Sequence, residues 1–157
     1  MKKFNFVILL CIVLLSTSCN KKVLYSHFEE FDQLKWQKND KVRFEIPIYE
    51  QATNQNVFLS IRHTAHFYLN GVTFKMTKTL PSGNVEQKSI FIPIKDDKNS
   101  YMGDGNGDVY DVTVLVDSAI TFTEIGEYKF DVEYQADEEL IVQVYQVGVI
   151  IKSSDAE

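Results

Sequence analysis

Apolar and polar residues alternate along most of this chain beyond its first twenty positions. Between Tyr128 and Tyr134 every second residue is apolar and every intervening residue is charged. The same period of two runs through Val42–Ile48 and Val72–Thr77, and no later stretch of ten or more residues has the period of an amphipathic helix. Because this period is typical of half-buried strands, we predict a single antiparallel β-sandwich of about seven or eight strands.

Individual residues predict details of this sandwich. Pro47 has no N–H to donate to a neighbouring strand, so its strand should lie at a sheet edge or carry a bulge. Pro81–Asn84 separates two alternating runs, which predicts a hairpin. Gly126-Glu127-Tyr128 at a strand start is similar to a tyrosine corner, where the phenol bonds back to the preceding loop. Trp36, the single tryptophan, is expected to fill the core.

Other segments have weaker patterns. We expect a helical turn at Glu29–Leu34 and a polar loop at Gln51–Asn56. Leu140–Ile151 is apolar on both faces except for two glutamines, so it should form a central strand.

The first twenty residues are organised like a secretory signal peptide. Lys2 and Lys3 precede an apolar run of 12 residues, and Ser16-Thr17-Ser18 then leads to Cys19. A membrane-spanning helix needs about 20 apolar residues, so this run is interpreted as an export signal that is removed. Small residues that end on a cysteine resemble a bacterial lipobox, in which the cysteine is acylated. We therefore predict lipidation of Cys19, with an ordinary signal peptide and an incidental cysteine as the alternative.

This interpretation divides the chain into four parts. They are a signal peptide (1–18), a lipidated cysteine with its tether (19–27), a β-sandwich domain (28–152) and a C-terminal tail (153–157). Cys11 lies in the signal, so the mature domain would have no disulfide and would depend on packing for its stability. An acidic cluster directly after the lipidated cysteine resembles the export tag of surface lipoproteins in some bacteria. Asn20–Lys22 contains no such cluster, so we expect the domain to face the periplasm.

The charge balance restricts the partners. Without Lys2 and Lys3 the chain has 14 Lys and Arg residues and 22 Asp and Glu residues, a formal charge of −8. This balance argues against nucleic acid as a partner and against electrostatic binding to anionic headgroups. Attachment to the membrane should instead be covalent, through acyl chains on Cys19.

Titratable residues suggest no catalytic or metal site. His63 and His66 are three residues apart in a run interpreted as extended, so their rings should point to opposite faces. Paired acids such as Asp96-Asp97 lie in polar turns, where nothing would raise the pKa of a carboxyl group. We expect no metal, no cofactor and no catalytic residues.

A glycine-rich stretch is the main candidate for binding. Asp104–Asp108 offers oxygen donors at alternate positions, as at the start of a calcium loop. Val109 and Leu115 then stand where such a loop needs its bend glycine and its bidentate glutamate. We predict that Tyr101–Asp111 is an ordered surface that binds a protein partner, and calcium remains the alternative. The candidate contact residues are Tyr101, Asp104, Asp108 and Tyr110.

Several short motifs occur in a set order along the chain. They are Trp36, Ile61-Arg62-His63-Thr64, Leu80-Pro81-Ser82-Gly83, Tyr101–Gly105, Gly126–Phe130 and Val147–Ile150. Together they resemble the gliding-motility lipoprotein GldH family of Bacteroidota, from Cys19 to about Lys152. The resemblance implies a membrane-anchored lipoprotein without enzymatic activity. It also implies a role in movement over surfaces, a link to type IX secretion, and other gliding and secretion proteins as partners.

A second class of function stays open at this point. A carbohydrate-binding sandwich lipoprotein would use Trp36, Tyr101 or Tyr110 as stacking platforms. Such a module should expose aromatic faces along one rim, whereas a structural component should bury Trp36 and lack a deep polar cleft.

Overall fold

The computed structural model describes residues 23–154, which form eleven strands and one 3-10 helix, Asp32–Leu34. The strands are β1 (Val23–Glu30), β2 (Lys35–Gln37), β3 (Val42–Ile48), β4 (Ala52–Thr64), β5 (Gly71–Thr79), β6 (Val85–Pro93), β7 (Asp104–Asn106), β8 (Val109–Phe122), β9 (Gly126–Gln135), β10 (Leu140–Val142) and β11 (Val144–Ser153). The predicted signal peptide, Cys19 and the end of the predicted tail lie outside the described residues.

The strands pair antiparallel in two large sheets and one small ribbon. One sheet has the order β1-β11-β4-β8-β7, the other has the order β3-β9-β5-β6, and the ribbon joins β10 to β2. Apolar side chains from both large sheets form one buried cluster. The all-β sandwich predicted from the period of two is therefore confirmed. More strands occur than predicted because β2, β7 and β10 have three residues each, too few to show a period.

Trp36 lies at the centre of the aromatic part of the core. It is fully buried, and its ring stacks on Phe31 at 4.6 Å and on Phe74 at 5.6 Å between ring centroids. Its indole N–H donates to the carbonyl oxygen of Asp40 at 3.0 Å, so the polar atom of this ring is satisfied. The prediction that Trp36 is a core residue is confirmed.

The second sheet follows the predicted pattern with one informative exception. β3 is an edge strand, as Pro47 predicted. The apolar residues of β9 are buried, but so is Asp131 between them. Arg43 on β3 donates to both carboxylate oxygens of Asp131, at 2.7 and 2.9 Å, and this hydrogen bonding lowers the pKa of Asp131 below its ordinary value. The ion pair thus allows a charged residue at a buried position.

The N-terminal part of the domain differs from the sequence prediction. Val23–Glu30 forms β1 and pairs with β11 along its length, although residues 19–27 were predicted as a tether. β1 is an edge strand with mostly exposed side chains, so its residues show no period of two. The helical turn predicted at Glu29–Leu34 is shorter, because β1 includes Glu30 and the 3-10 helix begins at Asp32. The sandwich therefore includes the chain from Val23 onwards.

Two further boundaries need correction. Gln51–Asn56 was predicted as a loop, but β4 begins at Ala52, and the polar Asn56 is buried. The side-chain oxygen of Asn56 accepts a hydrogen bond from the backbone N–H of Ala119 at 2.9 Å, next to a shift in the β4–β8 register. Leu140–Ile151 is two strands rather than one, because the chain breaks at Gln143, which has a φ of 70°.

The tyrosine corner is present. The phenol oxygen of Tyr128 accepts a hydrogen bond from the backbone N–H of Glu124 at 3.1 Å, across the turn before β9. The ring of Tyr128 is buried and meets Phe122 edge to face at 5.0 Å. The corner therefore ties the β8–β9 turn to the core.

The strand register separates two ends of the sandwich. At the proximal end, Val23 pairs with Lys152, and Lys152 pairs with Asn56 on β4. This end includes residues 23–24 and the turns 49–51, 80–84 and 123–125. At the distal end, His63 pairs with Val144 and Tyr110, next to residues 94–103. The extended chain from Asn56 to His63 places these ends about 23 Å apart.

Changing Tyr128→Phe should lower the free energy of unfolding by about 1–2 kcal/mol, because the N–H of Glu124 loses its acceptor in a part-buried site. Denaturant titration measures this loss. Tyr49→Phe is the matched control, because its side chain is 84% exposed and should tolerate the change. Equal stability of Tyr128→Phe and the unsubstituted protein would contradict the role assigned to the phenol.

Candidate functional site

The pairing of β4 with β8 brings chemically active side chains together at the distal end. Arg62 lies opposite Asp111 in the ladder. Its Nε and Nη2 atoms donate to the two oxygens of Asp111 at 2.7 and 2.8 Å, and this hydrogen bonding raises the pKa of Arg62 above its ordinary value. The pair is partly exposed, so it adds modestly to stability, but its two parallel hydrogen bonds fix the register.

The glycine-rich stretch folds into a hairpin against this ladder. β7 pairs with the start of β8, so that Asp104 faces Asp111 and Asn106 faces Val109. Gly107 and Asp108 form the turn. The carbonyl oxygen of Asp108 accepts a hydrogen bond from the backbone N–H of Ala65 at 2.7 Å. The distal hairpin, residues 101–111, is therefore an ordered element held to the β4–β5 connection.

The three glycines of the hairpin have clear structural reasons. Gly103 has a φ of +85°, and a Cβ there would lie 2.1 Å from the carbonyl oxygen of Asp111. Gly105 has no positive φ, but a Cβ there would lie 2.9 Å from the ring of Tyr110. Gly107 in the turn also has a positive φ, of +63°, so the hairpin needs two glycines for backbone conformation and a third for close packing of an aromatic ring.

Four aromatic rings form a distal aromatic cluster where the hairpin meets the sandwich: His63, Phe67, Tyr101 and Tyr110. His63 lies 5.3 Å from Phe67, 5.4 Å from Tyr101 and 5.7 Å from Tyr110, measured between ring centroids. The hydroxyl of Tyr101 is within hydrogen-bond distance of the carbonyl oxygens of Ala65 and Phe67. The two tyrosines therefore fasten the hairpin to the sandwich.

His63 is the buried polar group of this cluster. Its Nδ1 bonds to the carbonyl oxygen of Thr64 at 2.9 Å, which requires the proton to be on Nδ1. Its Nε2 is buried without a hydrogen-bond partner among residues 23–154. Burial lowers the pKa of His63, with opposing contributions from the Thr64 hydrogen bond and from Asp111, so the ring is neutral at pH 7.

The predicted contact residues occupy two different environments. Asp104 and Asp108 are exposed on the hairpin, whereas Tyr101 and Tyr110 are half-buried and turn towards His63. The sequence reasoning missed Lys95, whose ammonium lies 5.0 Å from the centroid of the Tyr101 ring. It also missed the contact of Phe67 with His63, because no local pattern marks contacts that only the fold brings together.

The geometry of the acidic side chains differs from that of a calcium loop. Asp104 and Asn106 lie in an extended strand, whereas a calcium loop curves its ligands around the ion. In the described part of the chain, no three His, Cys, Asp or Glu side chains come together in a group that could hold a metal ion. His63 is buried and His66 is exposed, so the two rings do not converge.

Within residues 23–154, no helix has the length and apolar character needed to cross a membrane.

The fold and the site define the class as an all-β sandwich domain with an ordered hairpin at one end. The model of the GldH lipoprotein family matches residues 23–151, and the chain belongs to that family. The resemblance carried by the ordered motifs is thereby confirmed.

Two relatives match over most of their lengths. A protein of Christiangramia forsetii named gliding motility lipoprotein GldH homolog is 23% identical over 130 residues, which cover 83% of this chain and 79% of that protein. The gliding motility lipoprotein GldH of Flavobacterium johnsoniae is 22% identical over 158 residues, which cover 96% of this chain and 98% of that protein. The similarity therefore extends well beyond a single motif.

Two solved structures match this chain with low TM-scores. The VP2 subviral particle of infectious bursal disease virus has a TM-score of 0.35 at 8% identity, over 82% of this chain and 32% of that chain. Latent PorU from Porphyromonas gingivalis has a TM-score of 0.31 at 11% identity, over 88% of this chain and 14% of that chain. This chain thus spans a minor part of either protein, and scores this low carry no argument about function.

The stability of the domain should fall as the pH drops below about 6.5, the ordinary pKa of histidine. The folded-state pKa of His63 lies below the unfolded value, so protons bind preferentially to the unfolded chain in this range. His63→Phe should flatten the dependence of the melting temperature on pH between about 7.5 and 5. His66→Gln, at an exposed position, is the control and should keep the original slope. If the melting temperature of His63→Phe depends on pH as steeply as that of the unsubstituted protein, His63 is not the cause of the loss of stability at low pH.

Proposed function

We propose that this protein is a lipid-anchored, non-enzymatic component of the gliding-motility apparatus, linked to type IX secretion and facing the periplasm. Its mechanism is placement: acyl chains on Cys19 hold the domain at a membrane, and the distal hairpin binds a protein partner. The observation that carries the proposal is that the ordered hairpin lies at the end of the sandwich opposite Val23, where the chain arriving from Cys19 enters the fold.

The anchor and the hairpin are suitably placed for this role. Cys19 precedes Val23 by four residues, so even a fully extended chain joins them over at most about 14 Å. The sandwich then holds the hairpin on the far side of a rigid domain. This geometry supports a role in which one end is fixed and the other end is presented to a partner.

The hairpin has the properties of a protein-binding surface. Backbone pairing with β8 and the hydrogen bond from Ala65 to Asp108 order it before any partner arrives, so binding loses little conformational entropy. The exposed carboxylates of Asp104 and Asp108 favour a partner with a basic patch. The partner we propose is therefore another protein of the gliding and secretion apparatus that offers Lys or Arg side chains.

The two competing functions have less support. Catalysis needs titratable groups that converge on a cleft, and in the described residues Arg62 and Asp111 are already paired with each other. Carbohydrate binding needs free aromatic faces, but Trp36 is buried, and Tyr101 and Tyr110 pack against His63. Binding of a protein partner by the ordered hairpin instead uses Asp104 and Asp108, whose side chains remain accessible.

Changing Cys19→Ala should prevent acylation and release the folded domain from membranes, or leave it with an uncut signal. Fractionation of cells grown with a labelled fatty acid measures both effects. Cells that produce the Cys19→Ala protein should lose motility although its amount, measured by immunoblotting, is normal. Label retained on the Cys19→Ala protein would contradict the anchor.

Replacing both hairpin carboxylates, Asp104→Asn with Asp108→Asn, should weaken partner capture from cross-linked cells by about fivefold or more while the melting temperature stays unchanged. Glu45→Gln with Glu50→Gln removes the same charge at exposed positions away from the hairpin and should leave capture intact. Equal capture by both double variants would contradict the hairpin as the binding surface.

Calorimetry separates the protein partner from the calcium alternative. We expect no micromolar calcium binding to the purified protein, because the bidentate glutamate is missing and Leu115 takes its place. A micromolar site that disappears in Asp104→Asn with Asp108→Asn would overturn the partner-binding interpretation.

A further inference from the structure

The proximal end of the sandwich exposes apolar side chains on four separate segments. Tyr49, in the β3–β4 turn, is 84% exposed, and Ile125, in the β8–β9 turn, is 69% exposed. Val23 and Leu24 at the start of β1 and Val85 at the start of β6 are also exposed. Turns are usually built from Gly, Pro, Asn, Asp and Ser, so large apolar residues at these tips have no role in forming the turns. We call these five residues the proximal rim.

The segments that carry the rim are packed together. Ile48 pairs with Gly126, which places the turn of Tyr49 beside the turn of Ile125. The N–H and hydroxyl of Ser82 donate to the carboxylate of Glu124 at 2.8 and 2.9 Å, which ties the β5–β6 hairpin to the same turn. The rim is therefore one surface with fixed geometry rather than a set of unrelated exposed residues.

An open groove of about 650 Å³ runs between the start of β1 and the β3–β4 turn. Its walls include the apolar Val23, Pro47 and Tyr49 together with the polar Glu50 and Thr53. A mixture of apolar and polar groups suits the headgroup level of a bilayer, where both kinds of group meet.

We propose that the proximal rim rests in the interface of the bilayer that holds the acyl chains of Cys19, an inference that rests on the proposed lipid anchor. The connection of at most about 14 Å from Cys19 to Val23 keeps the rim beside the headgroups. Exposed apolar residues at the tips of turns gain free energy by entering this layer, and a tyrosine ring is suited to it because one edge is apolar and its hydroxyl is polar.

The charges around the rim select the kind of lipid surface. Glu50 lies in the same turn as Tyr49 and Glu124 precedes Ile125, whereas Glu127 is paired with Lys129 at 3.4 Å, and Lys21 and Lys22 directly precede Val23. Acidic and basic groups are thus mixed around the rim, so it matches a zwitterionic surface such as phosphatidylethanolamine. Seating of the rim would fix the tilt of the sandwich and direct the distal hairpin away from the membrane.

The test places a fluorescent indole at each end of the acylated full-length protein, purified from membranes and reconstituted into phosphatidylethanolamine–phosphatidylcholine vesicles. Tyr49→Trp reports on the rim, and Tyr68→Trp, also at an exposed tyrosine, reports on the distal end. Trp36 is buried and gives the same background in every protein. Phosphatidylcholine with brominated acyl chains should reduce the emission of Tyr49→Trp and leave that of Tyr68→Trp and the unsubstituted protein unchanged.

Each other outcome overturns a defined part of the account. If the protein floats with the vesicles but the emission of Tyr49→Trp is not reduced, or that of Tyr68→Trp is reduced equally, the lipid anchor stands and the seating of the rim is excluded. If the protein does not float with the vesicles, both the anchor and the seating of the rim are excluded. A concentration-dependent dimer in detergent that disappears in Tyr49→Ser with Ile125→Ser would assign the rim to a second copy of this chain and overturn the lipid surface.

Discussion

The structure depends on the antiparallel ladders that β4 forms with β8 on one side and β11 on the other. β4 is the central strand of its sheet and runs from the proximal end to the distal end. Its partner β11 aligns β1, and its partner β8 carries the hairpin. The pairing of Arg62 with Asp111 fixes this register at the last residue of the hairpin, and a slip of one residue would turn every side chain to the opposite face.

Because β4 runs from the proximal end to the distal end, it fixes the position of the distal hairpin relative to the proximal rim. The chain from Cys19 enters at Val23, and the carboxylates of Asp104 and Asp108 lie on the far side of His63. The apolar layer around Trp36 is buried between the sheets, and in residues 23–154 the Nε2 of His63 and the Oε1 of Gln55 are buried without a hydrogen-bond partner. The proposed mechanism needs nothing more from the protein than a fixed distance between a membrane and a partner.

The sequence predicted the parts of this fold that have a local period or a local turn. The alternation in Tyr128–Tyr134, the corner at Tyr128 and the edge position of Pro47 all follow from side-chain chemistry within a few residues. β1 and β7 were missed because exposed edge strands need no alternation. Asp111 could not be paired with Arg62 in advance, because 49 residues separate them and only the register brings them together. The inward turn of Tyr101 and Tyr110 depends on that same register.

Photo-cross-linking in living cells tests the two-ended arrangement most directly. A photoreactive amino acid is placed at Asn106, exposed on the hairpin between the two carboxylates, or at Tyr49 on the proximal rim, and adducts are identified by mass spectrometry. The account predicts a protein adduct from position 106 and lipid adducts from position 49. Lipid adducts from position 106, or the same protein adduct from both positions, would contradict it.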